Sequence, residues 1–306
     1  MQRNQNIPQQ DHVSLGRGNL RHLLRTLSLA MLFCPLLPMD SLAVLVAPHA
    51  LFIDHRERST VLYVHNPDDH PVEVEIGLSY GYPRGDGKGG IKVFLEDHPE
   101  PGEPSCAAWV QALPRRMVLQ PRQRQAIRLL ARPPAGLPDG EYWSRVIVSS
   151  QKAAEPRKLE QSEGVQVGLA LATRTIISLN YRKGKVSTGV DLRHMRARVD
   201  SAAVHLDLDL HRSGNAAWLG QVDAVLSDAS GREVQRWNRA LAVYEDLQRS
   251  LNLPLDDPPL PGRYTISLQL DTDRADLPPE GILPCPAVVR SMALVYERTT
   301  NAESGG

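Results

Sequence analysis

His205, Asp207, Asp209 and His211 occupy alternate positions of one stretch, and imidazole and carboxylate are side chains that bind zinc and other divalent ions. The spacing is that of a β-strand whose opposite face carries Val204, Leu206, Leu208 and Leu210. Ligands strung along a strand over about 20 Å cannot close around one ion, so the pattern predicts a solvated face and no metal site. His65 and His70 flank a turn and are expected to face water. The chain has no Gly-x-Ser-x-Gly elbow, no phosphate loop and no Cys-x-x-Cys. The glycines between Gly81 and Gly90 open no helix and so give no phosphate cradle. Arg115, Arg116, Arg122 and Arg124 cluster without interleaved aromatics, which reads as loop and edge charge. Arg128 and Arg145 are expected as exposed strand positions. Lys+Arg and Asp+Glu both number 35, leaving no global charge to draw the chain to nucleic acid. These residues predict neither catalysis nor a cofactor nor a small-molecule substrate.

Binding chemistry of another kind stands at Val165–Arg174, which reads Val-Gln-Val-Gly-Leu-Ala-Leu-Ala-Thr-Arg. Val165, Val167, Leu169 and Leu171 fall on one face of an extended strand, and small or flat residues fall on the other. Such a strand can close its own sheet or offer its edge to a second chain.

The elements around it are short and alternating. With 24 Pro, 22 Gly and 5% aromatics among 306 residues, the composition favours β-sandwiches, and the length allows two domains. Residues 44–179 read as one immunoglobulin-like domain, with Val44–Asp54 as a single strand, Ser59–His65 as the next, and alternation through Val72, Val74, Ile76 and Leu78. Gly81–Gly90 reads as a mobile loop, and Gln151–Gly164 as a polar excursion. Residues 180–297 read as a second β-sandwich, in which only Ala240–Ser250 hints at a turn or two of helix. Residues 298–306 form a polar tail expected to be disordered. The fold class expected is therefore all-β, two immunoglobulin-like sandwiches.

Residues 1–43 stand outside that scheme. Arg17, Arg21 and Arg25 precede an apolar run from Leu27 to Leu37, and Ser41-Leu42-Ala43 supplies small residues at −3 and −1. This predicts a secretory signal peptide with a long polar leader, cleaved after Ala43. An uncleaved anchor is the rival, and Pro35, Pro38 and Asp40 make a poor spanning helix. Cleavage leaves Cys106 and Cys285, about 180 residues apart in different expected domains, so free thiols are expected over a bridge.

Four stretches of the first domain, taken in order, resemble the periplasmic pilus chaperones, the PapD-like family. They are Val46-Ala47-Pro48, the run from Arg58 to Asn66-Pro67, Leu119-Gln120-Pro121 through Gln125-Ala126-Ile127-Arg128, and Gly140-Glu141-Tyr142-Trp143-Ser144 after Leu137-Pro138. The resemblance implies two angled sandwiches and a pilin-like subunit held between them, with an outer-membrane usher as a further partner. In that family the chaperone lends its client the last strand of the first domain, without ATP. Main-chain hydrogen bonds give affinity and alternating side chains give specificity. Val165, Val167, Leu169 and Leu171 would then fill the client's groove, each contributing about 1.5–3 kcal/mol if fully buried. The resemblance also implies two basic residues that anchor the client's terminal carboxylate. Arg174 takes the downstream place by ungapped counting, and its planar fork suits a carboxylate. The family's upstream arginine is missing here. After Pro48 stand His49 and Ala50, and His49 could serve only when protonated. The alternative is a secreted structural or adhesive tandem sandwich whose alternating strand closes its own sheet.

Overall fold

A computed structural model describes residues 44–153 and 172–297. Alternating burial turns these sequences into strands that each present one apolar face, and paired sheets cover those faces. Leu45–Ala47 (β1), Ser59–His65 (β3), Arg124–Ala131 (β8) and Val110–Leu113 (β6) form a four-stranded sheet in the order β1-β3-β8-β6. Opposite lies a six-stranded sheet of Ala50–Asp54 (β2), Ala172–Lys183 (β10), Gly140–Lys152 (β9), Val72–Gly85 (β4) and Ile91–Glu96 (β5), with Arg116–Leu119 (β7) also paired to β4. Leu62, Val64, Ile127 and Leu129 from the first sheet meet Ile76, Val146, Val148 and Leu179 from the second, all buried.

The second sandwich packs Thr188–Val199 (β11), Ala203–Gly214 (β12) and Leu247–Pro254 (β15) against Trp218–Asp228 (β13), Glu233–Val243 (β14), Gly262–Asp271 (β16) and Val288–Tyr296 (β17). Its core joins Leu206, Leu208 and Leu210 to Val222, Leu226, Ile266 and Leu268, with Trp218 fully buried among them. The chain is all-β, two sandwiches in series.

Three local expectations fail for physical reasons. Val44–Asp54 is two strands in two different sheets: β1 pairs β3 antiparallel, and β2 pairs β10 parallel. Pro48 stands at the break, has no N–H to donate, and cannot continue the first ladder. Gly81–Gly90 is not a mobile loop. Gly81–Gly85 pairs with Leu95–Ile91 in a hairpin, and Asp86 Oδ1 accepts the N–H groups of Lys88 (2.8 Å) and Gly90 (2.9 Å) at its tip. The Gly89 carbonyl then accepts from the Ser250 N–H and from Arg249 Nη1, both at 2.8 Å, so the tip grips β15 of the other sandwich. Ala240–Ser250 is not helical. Its two ends belong to β14 and β15, because pairing with β13 and β12 overrides a helical propensity worth only tenths of a kcal/mol per residue.

Candidate functional site

Alternation within β10 sorts its side chains. Ile177, Leu179 and Tyr181 face the first core, so Arg174, Ile176, Ser178, Asn180 and Arg182 face the other way. One edge of β10 pairs with β9 along its whole length, from Ala172–Gln151 to Lys183–Gly140. The other edge pairs with β2 only from Ser178–Ala50 to Arg182–Asp54. Among the described residues, no strand pairs that second edge at Arg174–Ile177, a length of about 13 Å. The cause is the crossing at Pro48, which sends β1 to the opposite sheet. Ile176 beside this edge is 38% exposed.

Val165, Val167, Leu169 and Leu171 lie outside the described residues. Arg174 lies on the open edge, is exposed, and makes no hydrogen bond or ion pair among the described residues. His49 is exposed between β1 and β2, with Nε2 3.3 Å from Asp276 Oδ2 of the second sandwich. The Arg274 guanidinium, with a smaller contribution from His49, holds the Asp276 carboxyl down to about 2. Continuing the β2–β10 register places His49 level with Ile177, three residues from Arg174, or about 10 Å along the strand. The two candidate anchors are not brought together, and His49 already has an acidic neighbour.

Below the open edge lies a polar cluster that the sequence did not announce. Glu141 on β9 is buried, and its carboxylate accepts from Arg182 Nε (2.7 Å), Asn180 Nδ2 (2.9 Å) and the Ala217 N–H (3.1 Å). Arg182 also donates to the carbonyls of Glu280 (2.6 Å) and Gly281 (2.9 Å). Ala217, Glu280 and Gly281 belong to the second half of the chain, so this network ties the sandwiches together. Beside it Tyr80, Tyr82, Trp143 and Tyr244 pack in one buried cluster. Burial and the Glu103 carboxylate push the Tyr80 hydroxyl above its ordinary range, and burial with Glu245 does the same for Tyr82.

Arg145 overturns the expectation of an exposed position. It is 5% exposed, with its guanidinium carbon 5.1 Å from the centre of the Tyr244 ring. The signal was present in Val146-Ile147-Val148, apolar on both faces, which marks a strand covered on both sides. Arg128 is exposed on β8 as expected.

The remaining chemistry is quiet. His205 pairs with Asp200 at 2.7 Å, His211 with Asp246 at 2.6 Å, Asp209 with His194 at 3.4 Å, and Asp207 accepts from Ser250, so the four alternating residues have separate partners. No group of three or more potential metal ligands occurs among the described residues. Cys106 and Cys285 are both free, and burial pushes the Cys106 thiol up to about 12. No described helix is long and apolar enough to cross a membrane.

No family model matches the chain, and no curated protein matches it. Among solved structures, it is similar to the YadV chaperone at 15% identity and a TM-score of 0.40, over 82% of this chain and 99% of that one. It is similar at 14% identity and a TM-score of 0.40 to a chain in the Salmonella enterica complex of SafA pilin with the SafB chaperone, over 83% and 98%. The class 5 fimbriae chaperone CfaA aligns at 11% identity and a TM-score of 0.38, over 81% and 98%. At TM-scores of this size, the functional argument rests on the geometry of the chain itself.

Proposed function

We propose that this chain is a periplasmic chaperone for pilus-type subunits, exported by a cleaved signal peptide and acting by lending a strand edge without ATP. The observation that supports it most is the edge of β10 at Arg174–Ile177, which no strand among the described residues pairs and which ends where the β2 pairing begins at Ser178. A sheet edge with main-chain donors and acceptors to spare is what β-augmentation requires. The sequence that runs into this edge alternates Val165, Val167, Leu169 and Leu171, side chains suited to fill a partner's groove. The four family-like stretches in the first domain support the same reading, and Asn66 stands in one of them. Its Nδ2 donates to the carbonyls of His70 (2.8 Å), Leu119 (3.2 Å) and Gln120 (3.1 Å), fixing the turn after β3. An outer-membrane usher would take the loaded subunit onward.

The test is co-expression with a small secreted subunit encoded beside the gene, followed by tag purification. A stoichiometric complex is expected, and it should be lost when Val167 and Leu169 are both replaced by Glu. Replacing Arg174 by Ala should weaken capture while changing stability by no more than about 0.5 kcal/mol, the usual range for an exposed position. Full capture by the double Glu variant would take the strand out of the mechanism and favour the structural or adhesive reading.

A further inference from the structure

One of the four described sheets carries no carboxylate. Its strands β1, β3, β8 and β6 contain neither Asp nor Glu, whereas each of the other three sheets has several. Its outward positions form rows across the strands. Leu113, Arg128 and Val61 stand side by side, then Ala126, Tyr63 and Ala47, then Arg124, His65 and Leu45. Leu45 and Leu113 are 58% and 52% exposed, and Val61 and Tyr63 are exposed on β3 between them. The Arg124 guanidinium lies over the Tyr63 ring, 4.2 Å from its centre, so this cation rests on the apolar face. Arg128 donates to Ser59 Oγ at 3.3 Å, and neither arginine has an ion-pair partner among the described residues.

Exposed aliphatic and aromatic side chains set among cations, with no anion of their own, are complementary to a partner that is anionic and partly apolar. A second copy of the same face would set arginine against arginine, which disfavours a symmetric dimer here. The middle strands β3 and β8 pair with each other along their length, so the middle of the face offers side chains and no strand edge to an extended peptide. A fluid lipid surface needs no such edge. Arginines meet its phosphates, tyrosine sits at headgroup level, and aliphatic side chains reach the acyl boundary. On the export reading, Leu45 stands eight residues after the apolar run Leu27–Leu37, which keeps this sheet within about 28 Å of a membrane until cleavage.

We propose that the outward face of the β1-β3-β8-β6 sheet is a docking surface for an anionic phospholipid bilayer. Arg124 and Arg128 pair with lipid phosphates, while Leu45, Val61, Tyr63 and Leu113 enter the headgroup layer. The open edge of β10 belongs to the other sheet of this sandwich, so lipid docking and strand lending use different surfaces.

The experiment uses the full mature chain and vesicles of phosphatidylglycerol and phosphatidylcholine in equal parts, against vesicles of phosphatidylcholine alone, read by co-sedimentation. Binding to the anionic vesicles only is expected, falling as sodium chloride is raised. Arg124→Gln with Arg128→Gln should weaken it about thirtyfold, the worth of two arginines near a charged surface. Val61→Thr with Tyr63→Thr keeps strand-forming residues at exposed positions and should weaken it about tenfold. Arg115→Gln with Arg116→Gln removes the same charge at the start of β7, in the other sheet, and should leave it unchanged. Equal binding to both kinds of vesicle, or an equal loss from the Arg115 and Arg116 changes, overturns the proposal. Failure to bind anionic vesicles overturns it too, and capture of an alternating glutamate–leucine peptide in that case would assign the face to an acidic protein partner instead. No client subunit is present, so the outcome is independent of strand lending.

Discussion

Replacing Glu141 by Ala should be among the most damaging single changes in this chain, and the structure sets its size. The carboxylate lies 2.7 Å from Arg182 Nε, and Arg182 itself is only 9% exposed. Removing one partner of a buried pair costs about 3–5 kcal/mol, because the other charge is left behind. Arg182 keeps the carbonyls of Glu280 and Gly281, which favours the lower half of that range. Asn180 Nδ2 and the Ala217 N–H also lose their acceptor, at about 1–3 kcal/mol for each group that stays dry, which restores the upper half. These costs share one site and do not simply add, so a total near 4 kcal/mol is expected. Urea unfolding followed by tryptophan fluorescence measures it, with Arg182→Met and the double variant completing a cycle. The double variant should be milder than the sum of the singles by about 2 kcal/mol or more. A loss below about 1 kcal/mol for Glu141→Ala would refute the view that this pair is buried and shared by both sandwiches.

Three further outcomes follow from named atoms. Gly89 has φ +83° and a Cβ there would strike the Ser250 side chain, whereas Gly87 has φ +77° and open space around it. Gly89→Ala should therefore cost clearly more than the roughly 1 kcal/mol expected at Gly87, and the Ser250 amide should lose hydrogen-exchange protection only in the Gly89 variant; equal effects would show that the hairpin tip does not grip β15. The Cys106 thiol, raised from 9.0 to about 12 by burial, favours the folded state while it stays protonated. Its contribution is complete below about pH 9 and is lost as pH rises through 12, up to about 4 kcal/mol at 1.36 kcal/mol per unit. Cys285, half-buried, should react with a thiol reagent at pH 8 well before Cys106; the reverse order would contradict the burial.

Strand positions were legible where one face is wet and one is dry. Val72–Leu78 and Val204–Leu210 alternate in sequence and do so in burial. The arrangement of the site was not legible, because it is set by partners far away in the chain. Val146-Ile147-Val148 marks the strand beside Arg145 as covered on both faces, but nothing local says that the cover is Tyr244, 99 residues later, so the arginine read as solvent-facing. The Gly81–Gly90 stretch read as mobile because glycine is permissive, yet its partners Arg249 and Ser250 lie about 160 residues away. The open edge was half legible: the alternation up to Leu171 suggested an edge strand, but only the register of β2 shows where the cover ends.

The parallel placement of β2 has a mechanical consequence. Any chain laid along Arg174–Ile177 meets Ala50 head-on at the level of Ser178 and can travel no further without prising β2 away from five paired residues. Sheet pairing that is free to slip by one residue turns every side chain to the wrong face. A fixed buffer at one end removes that freedom, so a guest would be aligned by where it halts before any of its side chains are read.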